Sequence, residues 1–153
     1  MVPLHILKLC VGIDDVEALR RAQTVRRARL RAAGEPVVLR HVTRHPPRRA
    51  HEILPGGSLY WVIKGFVRVR QRIVGFEELT DHPDGKRCAF VLGPRLVLTR
   101  WQPRRPHQGW RYLDATDAPV DANFLNANAG QSVVGKSELP PALTAELRAL
   151  GLI

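Results

Sequence analysis

Residues 58–79 constrain the fold most, because two β-type runs meet there at Gly65. Residues 58–64 carry Leu59-Tyr60-Trp61-Val62-Ile63, β-branched and aromatic in the manner of a well-packed strand. Residues 66–79 then alternate, which predicts Val67, Val69 and Ile73 on one face and Arg68, Arg70 and Arg72 on the other. Further strands are predicted over residues 4–11, 37–43, 87–92 and 95–101, the last two separated by Gly93-Pro94. Asp14, with Glu17 three residues on, reads as a capping box opening a helix in which Val16, Leu19, Ala22 and Val25 recur at helical spacing. Gly34 followed by Glu35-Pro36 closes it. Pro46-Pro47 introduces a short helix over residues 48–54, ended by a tight turn at Gly56-Gly57. Residues 121–137 read as a surface loop, and residues 140–150 as an amphipathic helix with Leu143, Leu147 and Leu150 on one stripe. The expected class is α+β: one domain over residues 1–153, about six strands in a mixed or barrel-like sheet, and two or three helices including a C-terminal one.

Charge limits the partner. The chain of 153 residues carries 24 Lys and Arg against 14 Asp and Glu, a net +10. The excess is unevenly placed, with 22 basic and 9 acidic residues in 1–111 and 2 against 5 in 112–153. Twenty of the 24 are arginines, which fork onto phosphate and stack on planar rings where lysine acts as a point charge. A G+C-rich genome accounts for the choice of arginine over lysine, but not for the net charge. Apolar runs are far too short to span a membrane, and no secretory signal is expected at the N-terminus, so the expected location is the cytoplasm.

Several segments together resemble a bacterial family catalogued as a domain of unknown function, number 1489. They are Leu7-Lys8-Leu9-Cys10-Val11-Gly12, the run Gly56-Gly57-Ser58-Leu59-Tyr60-Trp61-Val62-Ile63-Lys64-Gly65, Arg70-Gln71, Pro103-Arg104-Arg105-Pro106 with Gln108-Gly109-Trp110-Arg111-Tyr112-Leu113, and the Leu139-Pro140-Pro141 opening of the last predicted helix. The resemblance covers essentially the whole chain and implies no activity. A weaker similarity, in element order alone, is to the PUA-like barrels, many of which bind RNA or modified bases; it bears on fold more than on function.

The densest candidate site is residues 100–112, where Arg100, Arg104, Arg105 and Arg111 interleave with Trp101, Trp110, Tyr112, His107, Gln102 and Gln108. Guanidinium groups meet phosphates and indole faces stack on unpaired bases, at roughly 1–3 kcal/mol per base. The bland alternative is that Trp101, Trp110 and Tyr112 pack this segment onto the sheet, with arginines stacked outside. Arg68, Arg70 and Arg72 form a second candidate, a ladder that is either an anion surface, a solvated face, or a set of partners for Glu52, Glu77 or Glu78. Lys64, before Gly65, is either a pocket lysine or a solvated strand end. No cofactor or metal is expected: His41 and His45 sit four apart on a strand and its exit, which is not the same-face spacing of a helical metal pair. Cys10 and Cys88 are expected to be buried, inert thiols.

These features imply a small basic protein that binds nucleic acid, RNA in preference. Arg104, Arg105 and Arg111 would meet phosphates, Trp110 or Tyr112 would stack on a base, Gln108 would read an edge, and Arg68, Arg70, Arg72 and Lys64 would extend the surface. Two alternatives stay open: an enzyme acting on an anionic, nucleotide-like small molecule near Trp61, Lys64 and residues 104–112, and a module that binds an acidic protein.

Overall fold

A computed structural model describes residues 2–122. The strands are β1 (His5–Leu9), β2 (Leu39–Thr43), β3 (Ser58–Ile63), β4 (Phe66–Leu79), β5 (Arg87–Pro103) and β6 (Trp110–Leu113). With them come α1 (Val16–Ala32), α2 (Ala50–Ile53) and a 3-10 turn, Ala115–Asp117. The strands form one open mixed sheet in the order β2-β5-β4-β3-β1-β6, so the α+β class holds. Among the described strands only β1 and β3 are parallel; the other pairs are antiparallel. The helix expected over residues 140–150 and all but the first two residues of the loop expected over 121–137 lie outside the described residues. No described helix is long and apolar enough to cross a membrane.

Several local expectations change. Gly93-Pro94 does not divide two strands, because β5 runs through it as one strand of 17 residues. Between the pairs Gln71–Leu96 and Ile73–Leu92, β5 spends extra residues against β4, and that bulge is where a proline is tolerated inside a sheet. The sixth strand is instead β6, within the aromatic and arginine-rich segment. In α1, Asp15 rather than Asp14 is the cap, its Oδ1 accepting from the Ala18 N–H at 2.7 Å. The face of α1 turned to the sheet carries Val16, Leu19 and Gln23, while Ala22 and Val25 are exposed.

The bulge frees the Gly93 carbonyl inside the protein, and Gln71 takes it up. Gln71 is fully buried; its Nε2 donates to Gly93 O (2.8 Å) and Gln23 Oε1 (3.0 Å), while its Oε1 accepts from Gln23 Nε2 (2.8 Å) and Trp61 Nε1 (3.2 Å). Both donors and both lone pairs of the amide are used. One side chain of β4 therefore ties together the β5 bulge, β3 and α1.

The two faces of the sheet carry different cores. On the inner face Ile6, Leu59, Trp61, Ile63, Val69, Ile73, Phe90 and Leu92 pack with Val16 and Leu19 of α1. On the outer face Leu7, Tyr60, Val62, Val67 and Leu113 form a second cluster. Val67 and Val69 thus fall on opposite sides, contrary to simple alternation, because the ladder shifts register between them.

The sheet is also curled. In a flat sheet, β2 and β3 would stand three spacings apart, about 14 Å, and β2 and β6 five, about 24 Å. Yet His41 of β2 meets Trp61 of β3 edge-on, with ring centroids 5.2 Å apart, and Phe90 of β5 comes within 6.1 Å of Trp110 of β6. The Trp110 indole N–H donates across the remaining gap to the His45 carbonyl at 2.9 Å. The register shifts in β3 and β4 supply the bend that brings the two edges together.

Two stability predictions follow from this packing. Gln71→Leu strips partners from Trp61, Gln23 and the Gly93 carbonyl, and is expected to cost about 3 kcal/mol in urea denaturation, against about 1 kcal/mol for Gln23→Leu; equal costs would contradict the hub role. At Gly57 a Cβ would overlap the carbonyl oxygens of Leu4 and Ile53, so Gly57→Ala is expected to lose about 2 kcal/mol or more by the same measurement.

Candidate functional site

The arginine ladder of β4 is absorbed by the protein itself. Arg70 forks onto Asp121 (2.7 and 2.8 Å) and donates to Ser58 Oγ (3.1 Å). Arg72 donates to the carbonyls of Gly57, Ile73 and Leu54 at 2.9 to 3.0 Å. Arg68 is buried, its guanidinium 3.9 Å from the centre of the Trp101 ring. The carboxylates considered as ladder partners go elsewhere: Glu52 to Arg49, Glu77 to Arg40 and Glu78 to Lys86. Lys64 sits at the tip of the β3–β4 hairpin with φ 50°, beside Gly65 at 82°, and its ammonium meets Asp14 at 3.2 Å. That pair of left-handed residues is what a two-residue hairpin turn requires.

The segment after β5 divides in the same way. The Arg104 backbone N–H donates to Gly65 O (2.9 Å) and its Nε to Gln102 Oε1 (3.0 Å), which holds it against the hairpin. Arg105, Gln108 and Arg111 are exposed. On β6, Arg111 is in register with Leu7 of the outer face, whereas Trp110 and Tyr112 are in register with Lys8 and Ile6 of the inner one. The Tyr112 hydroxyl accepts from the Arg49 N–H at 3.1 Å, and the Arg49 guanidinium covers its ring at 5.4 Å. Trp110 and Tyr112 consequently face the inner side of the edge strand and Arg111 the outer side.

The curl nevertheless builds a site that the sequence does not display. Between the edges lies a cavity of about 390 Å³, lined by Lys8, residues 41–45 and Gln108-Gly109-Trp110. Gln108 and Trp110 were expected to function together and do meet here. Lys8 of β1, His41 of β2, and Arg44 and His45 just after β2 join them from more than 60 residues away in the chain. A second cavity of about 540 Å³ shares Arg44 and His45 with the first and extends towards Phe76, Lys86 and Arg87. At the register position of Lys8 the inner face carries a row of Trp61, Lys8 and Trp110 across β3, β1 and β6.

His41 is the electrostatic reporter of this cleft. Burial first, then the positive charges of Lys8 and Arg26, lower its pKa to about 4, so the imidazole is neutral at pH 7. Its Nε2 is buried with no hydrogen-bond partner among the described residues. On the opposite face His5 is lowered in the same direction, by burial and then by Arg70 and Arg72, and its Nδ1 accepts the Ser58 N–H at 3.0 Å. Both cysteines are buried, and desolvation raises both thiols, Cys10 to about 11, which leaves little nucleophilic thiolate at neutral pH. Among the described residues no cluster of three or more His, Cys, Asp or Glu is placed to hold a metal ion.

Fold and site together define a small α+β protein whose curled sheet opens, between its two edge strands, at a cation-lined aromatic cleft. The chain belongs to the family described as "Protein of unknown function (DUF1489)", whose model matches residues 6–153. No curated protein and no solved structure matches it.

The depressed histidines make stability depend on pH. Each binds its proton less well folded than unfolded, so its contribution is complete above the ordinary value of 6.5 and is lost as pH falls, towards about 4 for His41. The urea midpoint is expected to drop between pH 6.5 and 4, and His41→Phe to flatten that drop while leaving the share due to His5; an unchanged profile in His41→Phe would count against a neutral His41.

Proposed function

We propose that this protein binds unpaired nucleic acid in the cytoplasm, RNA in preference to DNA, through the cleft between β2 and β6. The observation that carries the reading is the meeting of an aromatic wall and a cationic rim in one concavity: Trp110 beside Lys8, with Arg44 at the opening. An indole offers its face to any unstacked base, and arginine and lysine neutralise the backbone that joins the bases. Arg44, Arg105 and Arg111 are exposed and pair with no carboxylate among the described residues, whereas Arg40, Arg49 and Arg70 are held in ion pairs. RNA is preferred because its loops and bulges present unpaired bases for recognition. The weaker resemblance in element order to PUA-like barrels, read from the sequence, points the same way by analogy only.

A second reading, an enzyme acting on a nucleotide-like small molecule, draws on the neutral imidazole of His41 in the same concavity beside Lys8. The two readings part on strand length: an enzyme of this kind binds a mononucleotide as well as an oligonucleotide, and a strand-binding protein does not.

Fluorescence anisotropy with a labelled single-stranded RNA, titrated at several salt concentrations, tests the proposal. Affinity is expected to fall linearly with salt on logarithmic axes. In the triple variant Arg44→Ala, Arg105→Ala, Arg111→Ala the slope is expected to shrink by about 2, at roughly 0.7 per lost phosphate contact. No binding at low salt, or binding insensitive to salt, would overturn the reading.

A further inference from the structure

We propose that the cavity between β2 and β6 holds one unstacked nucleobase and favours bases that carry a carbonyl oxygen. This rests on the nucleic-acid reading and adds what the cleft recognises. The volume of about 390 Å³ lies within the range of roughly 300–1,000 Å³ typical of small-ligand pockets, enough for a base and its sugar and too little for a duplex. Its walls suit a flat, uncharged ring. Trp110 lines the cavity and is fixed in orientation by the hydrogen bond from its Nε1 to the His45 carbonyl, so the ring is held without a rotameric search. Behind it His41 stands edge-on to Trp61. A phosphate placed among these rings would lose its hydration to indole and neutral imidazole, whereas a base exchanges one stacked environment for another.

The polar groups then select among bases. Lys8 has only donors, and its register position holds it between Trp61 and Trp110 on the same face. Among the described residues the ammonium makes one weak contact, to the Leu9 carbonyl at 3.4 Å, and so retains donors for a ligand. An ammonium beside a stacked base seeks a carbonyl oxygen, which uracil, cytosine and guanine possess and adenine does not. Gln108, exposed at the rim, offers both a donor and an acceptor. With the base inside, the phosphates on either side of it lie at the opening, where Arg44 stands.

The experiment compares RNA octamers of uridine, cytidine and adenosine by anisotropy against the full chain, and follows the Trp110 indole and His41 ring signals by NMR. The uridine and cytidine octamers are expected to bind about 3- to 10-fold tighter than the adenosine octamer, the effect of one selective hydrogen bond. Lys8→Met is expected to erase that difference while the melting temperature holds. The Arg105→Ala, Arg111→Ala double variant is expected to weaken all three octamers alike. In the unmodified protein the Trp110 and His41 signals are expected to shift on binding, a readout that does not depend on any variant folding. Octamers that bind without shifting these signals, that show no preference or prefer adenosine, or whose preference survives in Lys8→Met, would overturn the base pocket and leave strand binding standing. Failure of every octamer to bind would overturn both.

Discussion

A single buried amide holds the architecture together. The β5 bulge around Gly93-Pro94 would leave a carbonyl unpaired in the interior, and an unpaired buried carbonyl costs as much as several good contacts gain. Gln71 removes that cost and in the same geometry engages Trp61 and Gln23, so the bulge, the central strands and α1 are fixed relative to one another. The bulge in turn lets the long β4–β5 pair bend, and the bend brings the edges of the sheet together. Trp61, oriented by Gln71, supplies the surface on which His41 rests. The cleft therefore depends on a residue that does not touch it.

Curling changes what each charge can do. In a flat sheet the alternating arginines of β4 would face solvent as a ladder; here the outer face is occupied by Ser58, Tyr60 and Asp121, and Arg70 and Arg72 become internal struts. The cations left for a ligand are those of the loops and edge strands, Arg44, Arg105 and Arg111, together with Lys8 on the inner face. Of these, Lys8 and Arg44 line the cleft with a neutral histidine and, among the described residues, no acid, while Arg105 and Arg111 lie outside its lining. That combination suits a ligand with a flat neutral part and an anionic part, which describes a nucleotide in a strand.

Much of the fold was legible in the sequence and most of the site was not. Trp61 and the β runs around Gly65 were readable because β-branched and aromatic residues report their own strand, and the resemblance to the family followed from the same segments. Gln71 sits in phase with Val69 and Ile73, and a glutamine in that position is the one signal of the polar hub; nothing local distinguishes it from a solvated residue on a strand edge. Gly93-Pro94 looked like a break because proline usually is one, and only its bulged pairing with β4 shows how the strand passes through. The separation of Arg111 from Trp110 and Tyr112 follows from alternation once β6 is known to be a strand, but its prolines and glycine made that segment look irregular. Lys8, His41 and Arg44 carry no spacing that links them, since a curl across six strands is what brings them together.

We propose that an unpaired strand lies in the gap between β2 and β6. Ultraviolet cross-linking of the protein to a single-stranded uridine-rich RNA, followed by peptide mapping, addresses it directly. Adducts are predicted on Trp110 and Lys8 and within residues 41–48, from both sides of the gap. Adducts confined to α1 or to the outer face around Arg70, with none at the gap, would contradict it.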